Sequence, residues 1–347
     1  MRGKAIVNIV SEQTIPNILF IKEFGMNPDV EKYIFITTPK MKEENIPERI
    51  INVSDIDASK IKEVEVSYDN FGEIKRRLAL KIVPGKYRYL VNLTGGTKVM
   101  SLAVHNFFTG SKANFYYLPI NTNHFENLYT GEIYPIKYHI SSEKYLKAYG
   151  YLIDIQETGH DYDLKELRNL LNAFILKQSN STFKLNKHVK EKLKSGEWLE
   201  NYIYTFLKEL LKNYPHDLNI RVNIYGNDLL SNNTKNELDI VLTLQNKLYV
   251  AECKASVSRN ESISEELYKL AALIKRMGLS VHGILITLNP KGVVKTPNGY
   301  KTRQELLERA RLLNIEVITL ADLLSEEKLS RRFKKILQLD GSGGGGS

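Results

Sequence analysis

Asp239, Glu252 and Lys254 have the residue types and spacing to do phosphoryl chemistry. They lie on ELDIVLTLQNKLYVAECKAS, which reads as two strands joined at Gln245-Asn246, the polar break between two apolar runs. With a loop of residues 245 and 246, paired residues sum to 491 and Asp239 faces Glu252; with a loop of 246 and 247 they sum to 493 and Asp239 faces Lys254. Strand side chains alternate, so either register puts all three on one face, whereas a three-residue loop would not. Two carboxylates converging on one face need a cation to neutralise them, and oxygen ligands suit Mg²⁺ or Mn²⁺ better than zinc. Such an ion activates water and binds a phosphate oxygen, while a nearby ammonium offsets transition-state charge. The set suits phosphodiester hydrolysis.

Glu-x-Lys alone has little value, because it recurs at Glu73/Lys75 and Glu326/Lys328. Neither repeat has an acidic residue on a preceding apolar strand at hairpin distance. The competing reading of the 252/254 pair is an exposed cross-strand salt bridge. The flanking LYVA run argues against it: so apolar a strand ought to be buried, and charges that close a buried strand need partners.

The elements that must position this set belong to an α/β pattern. Residues 196–340 open with a helix over WLENYIYTFLKELL, where Trp198, Leu199, Tyr202, Ile203, Phe206 and Leu210 recur at helical spacing. Strands follow at LNIRVNIYG and through the hairpin, then a helix over EELYKLAALIKRMG, a strand at HGILITLN and a final helix over RQELLERARLLN. Residues 1–140 alternate β-rich runs (KAIVNIV, KYIFITT, KEVEVS, YRYLVNL) with amphipathic stretches, predicting a mostly parallel sheet flanked by helices. A helix over 97–108, a strand at ANFYYLP and a hairpin through 129–132 close that unit. Residues 141–195 read as a helical connector without a sheet, and 341–347 as a flexible Gly/Ser tail.

A second constellation follows YRYLVNL. Asn92-Leu93-Thr94-Gly95-Gly96-Thr97-Lys98 joins a strand to a helix, with glycines that allow close backbone approach, Thr97 as a cap and a helix N-terminus that attracts phosphate. It is neither a Walker A loop nor a GxGxxG fingerprint, so ATP or NAD chemistry is not indicated. Polar loops at Ser11-Glu12-Gln13-Thr14 and Thr37-Thr38-Pro39-Lys40 follow the first two strands. All three fall at carboxyl ends of parallel strands, where open α/β sheets bind ligands.

Composition sets limits on these readings. The chain of 347 residues, 42% hydrophobic and 26% charged, is long enough for two cores and ordinary for a soluble protein. No run of 18 apolar residues appears and the N-terminus lacks a secretion signal, so no membrane span and a cytoplasmic location are expected. The single Cys253 excludes an intramolecular disulfide and a Cys-rich zinc site. A net charge of +9, with 18 basic against 15 acidic residues in 1–140 and 31 against 25 in 141–340, makes a phosphate-bearing partner plausible.

Asp239, followed after twelve residues by Glu252-Cys253-Lys254, resembles the PD-(D/E)xK nuclease signature, with Leu238-Asp239 where that superfamily often has Pro-Asp. The resemblance implies that Asp239 and Glu252 are metal ligands, that the Cys253 carbonyl completes the set, and that Lys254 is the catalytic lysine. It also implies a glutamate from the domain's first helix, matched by Glu200 in GEWLENYIYTFL with Glu197 one turn earlier as the fallback. Lys269 could steer phosphate, although a solvated lysine reads as well. Together with NLTGGTKVMSLAV, which resembles CARF domains, nearly all of residues 1–340 is similar to type III CRISPR ancillary nucleases that join one CARF domain to one PD-(D/E)xK domain.

This family resemblance implies a homodimer switched on by cyclic oligoadenylate, usually the tetra-adenylate, bound across its two-fold axis, and cleavage of DNA or RNA with Mn²⁺ or Mg²⁺. The implied ligand contacts are Ser11, Gln13, Thr14, Thr94, Gly95, Gly96, Thr97, Lys98 and Asn121. Two alternatives are a CARF regulator that binds DNA without cutting it and a sensor domain that also cleaves its own ligand.

Overall fold

In the computed structural model, residues 3–155, 162–179, 182, 184–226, 235–255, 262–297 and 299–339 are described. The chain divides into two compact units: one holds 1–152 with 226–234 and 278–280, the other 153–225, 235–277 and 281–347.

In the first unit, strands and helices alternate as β1 (Lys4–Ile9), α1 (Ile15–Phe20, continued by a π-helical turn), β2 (Val30–Thr37), α2 (Pro39–Glu43), α3 (Ile46–Ser54), β3 (Ile61–Glu65), α4 (Phe71–Lys81), β4 (Arg88–Asn92), α5 (Lys98–Phe108) and β5 (Ala113–Tyr117). The antiparallel β6 (His124–Asn127) and β7 (Ile133–Pro135) and the helix α6 (Ser142–Ala148) complete it. The sheet order is β3-β2-β1-β4-β5-β6-β7, with the first five strands parallel. β1 is buried along almost its whole length, as a central parallel strand covered on both faces must be. Chain direction across the sheet reverses between β1 and β4, so the crevice beyond their carboxyl ends is a topological switch point.

The second unit begins with β8 (Leu152–Ile155), α7 (Leu164–Ser179), α8 (Lys187–Lys192) and α9 (Glu197–Leu211). The hairpin strands β9 (His216–Tyr225), β10 (Lys235–Leu244) and β11 (Lys247–Lys254) follow, then α10 (Ile263–Ile274) and β12 (Val281–Thr287). A small hairpin of β13 (Val293–Thr296) and β14 (Gly299–Thr302), α11 (Gln304–Leu312), β15 (Ile315–Thr319), α12 (Leu320–Leu323) and α13 (Glu326–Ile336) end it. The sheet order is β15-β12-β11-β10-β9-β8. One face packs on α7, α9 and α13, where Trp198, Leu199, Tyr202, Ile203 and Phe206 are buried at the expected helical spacing. Each such side chain contributes about 1.5–3 kcal/mol of burial.

Two expectations are corrected here. The 141–195 segment is not free of sheet: LIDI adds β8 to the edge of the second sheet, and α7 packs into its core through Leu167, Leu170 and Leu171. Four alternating residues give too short a pattern to read without their partner strand. The helix over RQELLERARLLN is not the last element, since β15 joins β12 in parallel and α13 buries Leu329, Phe333 and Ile336. The described helices include none long and apolar enough to cross a membrane.

Candidate catalytic centre and sensor loops

The hairpin adopts the first of the two registers. Leu244 pairs with Lys247 and Ile240 with Ala251, leaving Gln245 and Asn246 as a two-residue turn with φ of 51° and 60°. Two successive left-handed residues make the turn whose twist suits a hairpin, and Asn tolerates that conformation better than most side chains. Continued by one pair, this register sets Asp239 opposite Glu252.

The β10–β11 ladder ends at Ile240–Ala251. Beyond it the Asp239 carboxylate, 8% exposed, accepts the Cys253 amide at 2.6 Å in place of a backbone carbonyl. Glu252 is ion-paired with the Lys254 ammonium, whose side chain is one-third exposed. Burial, and then the charge of Glu252, push the Asp239 carboxyl up to about 8 against a weaker lowering by the Cys253 amide. Burial alone would depress the Lys254 ammonium, but the charge and hydrogen bond of Glu252, with Asp239, drive it above the ordinary lysine range. Burial followed by the charges of Asp239 and Glu200 pushes the Cys253 thiol well up, so it is no nucleophile near neutrality.

Glu200 sits on the first turn of α9 and accepts from Arg221 Nε at 2.9 Å, while exposed Glu197 lies 3.6 Å from the same guanidinium. Arg221 is a strand residue with φ of +51°, and the β9–β10 ladder skips only its pairing position with Asp239. Left-handed backbone at a side chain as large as arginine costs on the order of 1–3 kcal/mol. Here the turn aims the guanidinium at α9. Burial raises the Glu200 carboxyl, offset in part by the Arg221 hydrogen bond and charge.

Among the described residues, no three His, Cys, Asp or Glu side chains converge closely enough to hold a metal ion alone. The donor chemistry nevertheless suits a hard cation: burial and the charge of a second carboxylate both raise the Asp239 carboxyl, and a bound cation would offset both. The structure thus brings together Asp239, Glu252, Lys254 and the Cys253 backbone, and turns Glu200 toward Arg221. Lys269 is ion-paired to Glu266 at 3.3 Å. The Glu-x-Lys repeats at 73/75 and 326/328 fall on α4 and α13, where residues two apart do not share a face.

Sequence reasoning missed Arg221 and Glu266. Glu266 lines a small recess with Lys254, Thr287 and Asn289 and helps raise the Lys254 ammonium. Neither carries a sequence signal, because an arginine in an alternating strand and a glutamate on an amphipathic helix are both commonplace.

In the first unit, the ends of β1 and β4 are tied by buried asparagines. Asn92 Nδ2 donates to Asn8 Oδ1 at 3.0 Å and to Asn17 Oδ1 at 3.2 Å, while its Oδ1 accepts the Thr94 amide at 3.0 Å. A Cβ on Gly95 would lie 2.3 Å from the Ile9 carbonyl oxygen, and one on Gly96, where φ is +76°, 2.4 Å from the Ile9 side chain. The glycine pair is therefore already required by the approach of this loop to β1. Thr97 caps α5 through the Met100 amide and donates to the Tyr68 carbonyl, and Thr94 Oγ1 accepts the Leu118 amide. Gly96, Thr97, Lys98 and Asn121 are exposed, the last in left-handed backbone, while Ser11 and Gln13 are half-buried. Thr14 departs from the expectation of a ligand contact: it is fully buried and its hydroxyl donates to the Ala148 carbonyl, fastening α6.

A mostly parallel α/β unit with polar loops at its switch point, followed by a mixed-sheet unit with two carboxylates and a lysine at a strand end, is the layout of a sensor domain coupled to a nuclease domain. Residues 5–145 match the family model of the Card1 CARF domain, and residues 187–319 that of the Card1-like endonuclease domain. The chain belongs to this family of CARF-domain proteins with a Card1-like endonuclease domain.

Among solved structures it is similar to Can2 from Sulfobacillus thermosulfidooxidans in complex with cyclic tetra-adenylate (TM-score 0.71, 20% identity, 96% of this chain and 99% of that one). It is also similar to protein VC1899 from Vibrio cholerae (TM-score 0.74, 17% identity, 99% of each chain). A third likeness is to a type III CRISPR defence DNA nuclease activated by cyclic oligoadenylate (TM-score 0.60, 17% identity, 89% of this chain and 52% of that one). No curated protein sequence matches the chain.

Proposed function

We propose that this protein is a divalent-metal-dependent nuclease of the PD-(D/E)xK type, acting on DNA or RNA as a cytoplasmic homodimer and switched on by cyclic oligoadenylate, the tetra-adenylate by preference, in type III CRISPR defence. One observation carries the reading: the 245–246 turn puts Asp239 opposite Glu252, with Lys254 two residues on, in the unit that matches an endonuclease family. Mn²⁺ or Mg²⁺ would be held by Asp239, Glu252 and the Cys253 carbonyl, with Glu200 contributing directly or through water, and when bound supplies charge neutralisation and water activation.

The chain's own residues do the rest. Asp239 would serve there as an ionised carboxylate, a bound cation offsetting the burial and the Glu252 charge that raise it. Lys254 is released from Glu252 and donates hydrogen bonds to the attacking water and the scissile phosphate. In the first unit, Lys98, Thr97 and the Gly95-Gly96 backbone, with Ser11, Gln13 and Asn121 around them, would meet the phosphates and bases of the ligand, and a two-fold ligand suits a two-fold dimer.

The test is a cleavage matrix of plasmid and of single-stranded DNA and RNA with Mn²⁺, with and without cyclic tetra-adenylate. Ligand-dependent cleavage that Asp239→Ala abolishes is the expected result. Tight nucleic-acid binding without any cleavage would point instead to a regulator, and linear product from the ligand to a self-cleaving sensor.

A further inference from the structure

The carboxylates of the catalytic centre pose an electrostatic problem for a polyanionic substrate. The four carboxylates of Asp239, Glu252, Glu200 and Glu266 outnumber the cations paired with them, Lys254, Arg221 and Lys269, so the centre does little by itself to draw in a phosphodiester chain. Next to it is a surface of opposite character. The small recess that holds Lys254 and Glu266 is walled by Ser262 and Ile263, and the other side of the same two residues walls an open recess of about 250 Å³. That second recess is lined by Lys291, Arg303 and Arg309 against the single carboxylate of Glu305.

Arg303 and Arg309 come from the start and the middle of the α11 segment and are both exposed. Arg309 is steadied by a hydrogen bond to the Ser264 hydroxyl on α10. Main-chain ties fix the walls: Arg303 N–H donates to the Gly292 carbonyl at 2.9 Å, and the Lys291 amide donates to Asn289 Oδ1 at 2.9 Å. The cations therefore line, on a braced frame, a concave site that shares Ser262 and Ile263 with the recess of Lys254.

We propose that this recess is a phosphodiester-binding subsite: Arg303 and Arg309, with Lys291, hold the nucleic-acid backbone beside the scissile phosphate and feed it to Lys254. The assignment rests on the nuclease reading of the neighbouring centre. It makes Arg303 and Arg309 positioning residues, whose contribution is to substrate affinity and not to the chemical step.

The experiment uses the full chain with cyclic tetra-adenylate, a fluorescein-labelled single-stranded DNA oligonucleotide, and EDTA so that binding is read without cleavage. Arg303→Ala/Arg309→Ala should weaken binding about tenfold at low salt and flatten the dependence of log affinity on log salt by about 0.7 for each phosphate no longer neutralised. In Mn²⁺, KM should rise while kcat at saturation stays within about twofold. Arg303→Lys/Arg309→Lys, which keeps the charge, should restore most of the affinity.

Unchanged affinity and salt slope in the alanine pair overturn the proposal, as does equal loss in the alanine and lysine pairs, which would mean the fold and not the charge had been damaged. If wild-type chain cleaves nothing yet the alanine pair binds more weakly with the flatter slope, the subsite stands and the nuclease reading fails. If the alanine pair cleaves with wild-type KM, the subsite fails and the nuclease reading stands.

Discussion

Arg221 donates to Glu200 at 2.9 Å from a strand position with φ of +51°, directly across from the skipped pairing position of Asp239. A residue expected to serve the metal site is thus held by a guanidinium that has left regular strand geometry to reach it. The side chains of Arg221 and Glu200 are 13% and 14% exposed, so neither charge can be abandoned cheaply.

Arg221→Ala is expected to destabilise the second unit by about 3 kcal/mol, because it strands a buried carboxylate. Arg221→Gly should lose about 1 kcal/mol less, since glycine adopts positive φ without strain. Urea unfolding of the two variants checks the difference; equal losses would show that the backbone at 221 stores no strain.

The Asp239 carboxyl, at about 8 in the folded chain against an ordinary 3.8, holds a proton that the unfolded chain releases between those values. The folded-state pKa is raised for an acid, so without metal this group's contribution to stability falls as pH rises from about 4 toward 8 and is level above. Asp239→Asn should flatten that slope and be more stable than wild type at pH 8 in EDTA. Mn²⁺ should stabilise wild type increasingly up to about pH 8 and leave Asp239→Asn nearly unmoved. Melting temperatures across pH, with and without Mn²⁺, decide it.

Lys254→Met keeps the stem and removes the ammonium from Glu252. Cleavage should fall by about 10²–10³-fold, the scale of losing one charged donor to a transition state, while binding of cyclic tetra-adenylate is unchanged. Single-turnover cleavage beside ligand titration provides the check, and cleavage within tenfold of wild type would remove Lys254 from the chemistry.

Gly95→Ala places a methyl 2.3 Å from the Ile9 carbonyl oxygen and must push the 93–97 loop off β1. Lys98→Ala truncates an exposed side chain at the start of α5 and leaves the loop backbone in place. Ligand affinity should drop in both, with a loss of about 1–3 kcal/mol in stability only for Gly95→Ala. Calorimetric titration and thermal unfolding of each variant separate the two effects.

Whatever depends on periodicity was legible along the chain. A spacing of two put Glu252 and Lys254 on one face, joined by Asp239 if the turn has two residues, and a spacing of three and four marked the buried face of α9. Local chemistry was enough for the Thr97 cap and the strand–loop–helix at 92–98. These features repeat within a few residues, so each is stated by its own neighbourhood.

Assembly of the fold settled what no neighbourhood states. It chose the 491 register over the 493 one, because Gln245 and Asn246 both take left-handed backbone while Lys247 is drawn into the strand and buried. It recruited LIDI to a sheet edge, sent the Thr14 hydroxyl inward to Ala148, and set the glycine pair against Ile9. It also brought Arg221 to Glu200 from a different element. Each of these turns on which groups are desolvated together, and burial is a property of the assembled chain that spacing along it does not encode.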